Sequence, residues 1–203
     1  MNISVFVSGR GSNLRAIHAA VQRGELDARL RLVISNRSDS PALDFGRTIG
    51  AQTTSLADTA PGSEEETARI LDVLRQVETE FIVLAGYMRM IPEKVVKQYH
   101  QRIVNIHPAL LPSFGGKGMY GHKVHEAVLA AGVKVSGATV HLVNEEYDRG
   151  PIVMQQCVPV LDSDTPETLA ARVLEVEHAL YSRALQLLIS GRIRITENRT
   201  FIQ

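Results

Sequence analysis

The sequence is poor in cysteine: its 203 residues include one, Cys157. A disulfide needs two cysteines, so neither a disulfide framework nor a cysteine-based metal site can be built within this chain. Proteins without disulfides are typical of a reducing compartment, and we expect a cytoplasmic protein. Cys157 lies in the mostly apolar run 152–158, which predicts a buried strand with the thiol as a small core side chain.

An excess of charge of one sign is also missing. Lys plus Arg number 22 and Asp plus Glu number 22, so the formal net charge is zero. Nucleic-acid-binding proteins usually carry a basic excess, and we therefore expect no nucleic-acid partner. No apolar run approaches the roughly 20 residues of a membrane-spanning helix, and the short run 2–7 lacks the basic flank of a signal peptide. We expect no membrane association, and the sequence leaves open a monomer or a homodimer.

Motifs of metal-dependent and serine hydrolases are absent as well. The 7 histidines include no HExxH pair, and the chain contains no GxSxG. His122 and His125 are close enough to share a helical face, but two histidines at this spacing do not by themselves make a metal site. We therefore expect no metal ion.

In the first half of the chain, apolar runs alternate with helical periodicity. Four runs predict strands, namely 3–7, 30–35, 81–85 and 103–106. Four helices are predicted to begin near residues 13, 41, 63 and 92. Strands that are apolar throughout suit a parallel sheet covered on both faces. The order predicts an α/β fold with a doubly wound, mostly parallel sheet, helices on both faces and a Rossmann-like N-terminal half.

The second half begins with a long segment, 107–122, that is rich in Gly and Pro. Long segments without periodicity are usually functional or disordered. The runs 135–143 and 152–160 predict strands that are close enough in sequence for an antiparallel hairpin, so we expect a mixed sheet. A Thr-Pro pair at 165–166 predicts the start of a long helix. No linker interrupts the pattern, and we expect a single domain over 1–203.

The first segment suited to ligand binding is the turn at 8–12, between a strand and a helix that starts near Asn13. Its glycines let the backbone approach a ligand closely, and the N–H groups at the helix start, helped by Ser12 and Asn13, can hold a phosphate. The third glycine of a dinucleotide fingerprint is missing because Leu14 takes its place, and the lysine of a P-loop is missing too. The turn therefore predicts a site for a phosphate monoester, or else only a tight turn.

Asn105 and His107 lie at the end of an apolar run. They project to the same face of a strand because side chains alternate, and open α/β sheets bind ligands at the carboxyl ends of their strands. An amide can donate a hydrogen bond to a developing oxyanion, and an imidazole can also exchange a proton. Both residues are catalytic candidates, although a loop contact and a strand-end histidine would also account for them.

Asp148 lies in the polar connection of the predicted hairpin. That connection could carry its carboxylate to the strand ends, where a negative charge would raise the pKa of His107. Two other segments have alternative interpretations. The loop 86–91 could wall an apolar pocket or only join a strand to a helix. Glu177 lies in the last predicted helix, away from its apolar stripe, which is also typical of a solvated helix face.

Four segments together resemble the folate-dependent formyltransferase family along nearly the whole chain. They are SGRGSNL at 8–14, VLAGYMRMI at 83–91, NIHPALLPSFGG at 105–116 and HLVNEEYDRGPI at 141–152. The early turn is similar to that of members acting on a ribonucleotide. The resemblance implies the formyltransferase fold and transfer of a formyl group from 10-formyltetrahydrofolate to glycinamide ribonucleotide in purine (IMP) biosynthesis, through a tetrahedral intermediate and without a metal.

The resemblance also implies a role for individual residues. The implied catalytic residues are Asn105, His107 and Asp148. The implied substrate-binding residues are Gly11, Ser12 and Asn13 for the phosphate, and Glu177. The implied folate-binding residues are Met88, Arg89, Met90, Ile91, Asn105 and Asn144. On this basis 1–100 is a phosphate-binding half and 101–203 a folate-binding and catalytic half.

Two departures from the family pattern are visible. The loop 115–121 is longer than the usual Pro-Gly segment, and Glu64 lies nearest to the position where some members have an arginine for the folate tail. Three alternatives stay open: a formyltetrahydrofolate deformylase, a methionyl-tRNA formyltransferase-like enzyme and a non-catalytic nucleotide-binding relative. The first two usually have additional domains, which we do not expect here. The presence of Asn105, His107 and Asp148 argues against the third.

Overall fold

The computed structural model of the protein describes all 203 residues. The helices are α1 (Ser12–Gln22), α2 (Pro41–Thr48), α3 (Glu64–Gln76), α4 (Glu93–Gln98), α5 (His122–Ala130) and α6 (Pro166–Ile189). The strands are β1 (Asn2–Val7), β2 (Arg29–Ser35), β3 (Gln52–Ser55), β4 (Phe81–Leu84), β5 (Ile103–His107), β6 (Val135–Leu142), β7 (Ile152–Pro159), β8 (Ile193–Thr196) and β9 (Arg199–Ile202).

The first seven strands form one sheet in the order β3-β2-β1-β4-β5-β6-β7, and β8 pairs with β9 separately. Strand β1 pairs in parallel with β2 and with β4, and β2 pairs in parallel with β3. Strands β6 and β7 pair antiparallel. The predicted mixed sheet and the predicted hairpin are both confirmed.

The chain divides into two compact units, of which the first is Met1–Val104. Strands β1 and β4 are buried almost throughout, as expected in a sheet with both faces covered. Helix α1 contributes Leu14 and Ile17 to this core. Helix α3 begins after Ser63, whose side chain accepts a hydrogen bond from the backbone of Glu66, and this cap satisfies one of the free N–H groups of the first turn.

The second unit is Asn105–Gln203, in which α6 packs against the β6–β7 hairpin and against α5. A capping box between Thr165 and Thr168 starts α6. The buried residues of α6 lie on one face of the helix, and they include Leu169, Val173, Leu180 and Ala184. None of the helices combines the length and the apolar character that a membrane crossing requires.

Three features differ from the expectations drawn from sequence. Strand β3 is absent from the prediction because its four residues, QTTS, are polar and show no apolar alternation. Strands β8 and β9 are equally short and were not predicted. The expectation of a buried thiol at Cys157 is wrong: β7 is the last strand in the sheet order, and its residues 155–157 are exposed.

Candidate active site

Asn105 and His107 lie two residues apart on β5, and their side chains contact other polar groups of the second unit. The His107 side chain is buried, with 3% of the residue exposed, and its Nε2 lies 2.8 Å from the carbonyl oxygen of Phe114. A carbonyl oxygen only accepts, so Nε2 carries the proton. The amide Nδ2 of Asn105 lies 3.1 Å from Nε2 of His141.

Asp148 joins these groups through the connection between β6 and β7. Its Oδ2 lies 3.6 Å from Nδ1 of His107, and its Oδ1 lies 3.5 Å from Nε2 of His141. The backbone N–H of Gly116 donates to the same Oδ2 at 2.8 Å. Asp148 has a φ of 54°, a left-handed conformation that aspartate tolerates better than most residues. The predicted approach of this carboxylate to His107 is therefore present in the structure.

A glycine is required two residues after Asp148. A Cβ at Gly150 would collide with the backbone carbonyl of Leu142 at the end of β6. Gly115 is constrained less strictly: a Cβ there would lie 3.2 Å from Cβ of Asp148 and would collide with the end of the Leu111 side chain, which can move more easily than backbone. These two glycines let the loop after β5 and the hairpin connection approach each other closely.

The protonation of His107 differs from the sequence-based expectation. Burial lowers the pKa of His107 below its ordinary value and outweighs the raising effects of the Asp148 charge and the Phe114 carbonyl. Burial alone would raise the pKa of Asp148, but the neighbouring His141 and His107 and the N–H of Gly116 hold it below its usual value. The resting site therefore combines a neutral imidazole with an ionised carboxylate near neutral pH.

His141 is the member of this cluster that sequence reasoning missed. It is buried near the end of β6, and its Nδ1 lies 2.9 Å from the carbonyl oxygen of Leu142. With a proton on Nδ1, the neutral ring accepts at Nε2 from Asn105 and so orients that amide. The same Nε2 also lies near Oδ1 of Asp148. Its position at the strand end beside the Asp148 connection is the signal that could have identified it.

The turn before α1 holds Gly11 in a left-handed conformation close to α2. Gly11 has a φ of 74°, and a Cβ there would lie 2.9 Å from Cβ of Ala42, so a larger residue would have to displace α2. Gly11 is the N-cap of α1, and no side chain caps the first N–H groups. Ser12 is the first helical residue, and Asn13 is buried.

Two serine hydroxyls hold this turn in place. Ser40 donates a hydrogen bond to the carbonyl oxygen of Gly9 at 2.8 Å. Ser8 accepts one from the backbone N–H of Met88 at 2.8 Å, which ties the turn to the loop after β4.

The four predicted folate-binding residues of the loop after β4 differ in their exposure to solvent and in their contacts. Met88 and Met90 have exposed fractions of 52% and 48%, so both offer apolar surface to a ligand. Ile91 is 4% exposed, and its side chain belongs to the core. The guanidinium of Arg89 is engaged internally: its Nη1 donates to Oε1 of the buried Glu66 at 2.8 Å and to the carbonyl of Leu56 at 3.0 Å.

Three residues singled out from the sequence remain. Glu177 and Asn144 belong to the second unit, and Glu64 belongs to the first. Glu177 is buried in α6. Asn144 accepts a hydrogen bond from the backbone N–H of Glu146 and so shapes the connection that carries Asp148. Glu64 forms an exposed ion pair with Lys94. No three His, Cys, Asp or Glu side chains are grouped as they would be around a metal ion.

Comparison with known proteins gives consistent matches over most of the chain. The sequence model of a family described as formyl transferase matches residues 1–185. The chloroplastic phosphoribosylglycinamide formyltransferase of Arabidopsis thaliana is 43% identical, over 97% of this chain and 68% of that protein. The phosphoribosylglycinamide formyltransferase of Escherichia coli (strain K12) is 35% identical, over 100% of this chain and 93% of that protein. Among solved structures, glycinamide ribonucleotide transformylase 1 from Symbiobacterium toebii matches with a TM-score of 0.92 at 37% identity, over 100% of this chain and 93% of that chain.

Proposed function

Because the chain belongs to the formyl transferase family, we propose that it transfers a formyl group from 10-formyltetrahydrofolate to the amine of glycinamide ribonucleotide. The products are formylglycinamide ribonucleotide and tetrahydrofolate, in de novo purine biosynthesis. The relatives described above are named for this ribonucleotide. The observation that carries the proposal is the cluster in which Asn105, His107 and Asp148 converge.

In this proposal Asn105 and His107 stabilise the tetrahedral intermediate. The amine of the ribonucleotide attacks the formyl carbon, and the carbonyl oxygen becomes an oxyanion. The amide of Asn105 and the Nε2–H of His107 are the donors for that oxygen, and a donor of this kind typically contributes about 3–4 kcal/mol to transition-state stabilisation. The burial of His107 strengthens the effect because few water molecules compete for the same donor.

This role requires an exchange of partners at His107. Its Nε2–H donates to the carbonyl of Phe114 in the structure, so the oxyanion has to replace that carbonyl. Phe114 has a φ of 55°, and a non-glycine residue in this region carries backbone strain of about 1 kcal/mol or more. The strain favours release of the carbonyl when a stronger acceptor arrives.

Asp148 supports the proton transfer that completes the reaction. The attacking amine becomes positively charged and must lose a proton, while the folate nitrogen must gain one as it leaves. The ionised carboxylate lies 3.6 Å from Nδ1 of His107, so it stabilises the imidazolium that forms if the ring takes up the proton. The same carboxylate can accept the amine proton directly or through water.

The binding residues complete the proposal. Gly11, Ser12 and Asn13 bind the phosphate of the ribonucleotide through the backbone N–H groups at the start of α1, and Glu177 contacts the same substrate. Folate packs on the apolar side chains of Met88 and Met90, and Asn105 and Asn144 contact it with polar groups. Since the Ile91 side chain is buried and the Arg89 guanidinium is paired, these two residues contribute through their backbone.

We further propose that catalysis needs no metal and that the protein acts in the cytoplasm as a monomer or a homodimer.

A single assay separates this function from its alternatives. Purified protein is mixed with 10-formyltetrahydrofolate, and tetrahydrofolate formation is followed with and without glycinamide ribonucleotide. Turnover that depends on the ribonucleotide supports the proposal, whereas equal turnover without it indicates a deformylase. Absence of turnover in both mixtures would leave only a binding role and would contradict the proposal.

Two substitutions connect the activity to the site. Asn105→Ala and His107→Ala each remove one oxyanion donor, and kcat should fall by ~10²–10³ with the fold intact. His100→Ala removes an exposed histidine from the first unit and serves as the matched control, with turnover close to wild type.

A further inference from the structure

The buried hydroxyl of Thr139 is the centre of a hydrogen-bond network that contacts the loop after β5. Thr139 is 0% exposed. Its Oγ1 donates to the carbonyl oxygen of Ala109 at 2.6 Å and accepts from the backbone N–H of Leu111 at 3.0 Å. A hydroxyl has one donor and two acceptor positions, so one acceptor position is left for a further partner.

Gln155 fills that position from the neighbouring strand. It lies opposite Thr139 in the β6–β7 register, and its Nε2 donates both to Oγ1 of Thr139 and to the carbonyl oxygen of Leu111, each at 2.9 Å. Two side chains on paired strands thus satisfy three backbone groups of the segment 109–111. We call Thr139 and Gln155 the loop clamp.

The clamped segment leads directly to the two backbone groups that contact the catalytic residues. Within five residues of Leu111, the carbonyl of Phe114 accepts from His107 and the N–H of Gly116 donates to Asp148. A displacement of Leu111 would move both groups, because the chain between them is short. Misplacement of a catalytic group by about 1 Å can lower the rate by ~10²-fold.

We infer that Thr139 and Gln155 are positioning residues for the formyl transfer, because they fix the base of the loop whose Phe114 and Gly116 set the orientation of His107 and Asp148. This inference rests on the proposed function. The clamp holds the base of the loop while Phe114 exchanges with the oxyanion. Neither residue touches the reacting atoms, and their effect is transmitted through the loop backbone.

The first test is Thr139→Val, which preserves shape but removes all three hydrogen bonds of the hydroxyl. We expect kcat to fall about 10- to 100-fold with KM for both substrates within about twofold of wild type. Thr139→Ser restores the hydroxyl and should recover most of this loss. Thr200→Val is the matched control, because Thr200 donates one hydrogen bond to Ile152 away from the loop, and it should leave kcat unchanged.

A spectroscopic readout distinguishes positioning from a general loss of stability. In the wild type the carbonyl of Phe114 keeps the neutral His107 ring in its Nε2–H form. Nitrogen-15 NMR of the His107 ring should show this form in the wild type and in Thr139→Ser, and a mixture of both neutral forms in Thr139→Val. The measurement needs no substrate, so it still tests the clamp if the wild type does not transfer formyl groups.

Gln155→Met keeps the test decisive if Thr139→Val does not fold. It removes only the two hydrogen bonds donated by Gln155 and lies on an edge strand, so we expect a folded protein with a several-fold lower kcat. A folded Thr139→Val or Gln155→Met protein with wild-type kcat and an unchanged His107 ring spectrum would overturn the inference.

Discussion

The buried imidazole of His125 makes the stability of the protein depend on pH below neutrality. His125 lies in α5 with 4% of the residue exposed, and its Nδ1 has no hydrogen-bond partner. Burial, together with the smaller effects of the His122 and His107 charges, lowers the pKa of His125 from 6.5 to about 4. The native protein therefore holds this ring in the neutral form.

The sign and size of the effect follow from the two pKa values. The unfolded chain binds a proton at the ordinary value of 6.5 and the native protein only at about 4, so the free energy of unfolding falls as pH falls through this window. At about 1.4 kcal/mol per pKa unit, the loss is about 2 kcal/mol at pH 5 and about 3 kcal/mol below pH 4. Above pH 6.5 both states are neutral at this residue, and the contribution vanishes.

Urea unfolding of the wild type, His125→Leu and His125→Gln at about pH 7.5 and about pH 5 measures this contribution. Both variants remove the titrating ring, so the wild type should lose about 2 kcal/mol relative to each of them over this interval. Comparison between proteins cancels the other titrating groups. Parallel pH dependence in all three proteins, or an NMR titration of His125 with a midpoint above pH 6, would show that this ring does not destabilise the native protein at low pH.

Three further predictions concern the candidate active site and the contacts that hold the neighbouring loops. Asp148→Asn removes the negative charge beside His107, so the pKa of that imidazole should fall further below its ordinary value in an NMR titration, and an unchanged pKa contradicts the pairing. Glu66→Gln leaves the Arg89 guanidinium without its carboxylate, and urea unfolding should show a loss of about 3 kcal/mol; a loss within error means that the backbone carbonyls alone satisfy the guanidinium. Gly150→Ala forces the hairpin connection away from β6, so kcat should fall at least about tenfold, and wild-type kcat would show that the connection tolerates the displacement.

The side-chain period of a strand was sufficient to predict that the side chains of Asn105 and His107 lie in one cluster of polar groups. The short separation of two strand-like runs predicted the hairpin, and the hairpin explains why Asp148 reaches the same cluster. The family resemblance stated from four sequence segments is confirmed by the match of the family model to residues 1–185. Local periodicity and motif spacing therefore identify the features that depend on regular structure.

Other parts of the site depend on backbone positions that have no sequence signature. The acceptor for His107 is a main-chain carbonyl of Phe114, and any residue type supplies such a group. His141 resembles an ordinary histidine on a buried strand until the position of Asp148 is known. The pKa of His107 depends on the balance between burial and a neighbouring charge, and only the folded structure shows that burial is the larger effect.

The most direct test of the proposed function follows the transferred carbon itself. The protein is given 10-formyltetrahydrofolate labelled with carbon-13 in the formyl group, together with glycinamide ribonucleotide, and the label is followed by NMR. We expect the label to move to the amine of the ribonucleotide as a formamide, and His107→Ala to slow this transfer by ~10²–10³. Release of the label as free formate, or its retention on folate in the presence of folded protein, would contradict the account.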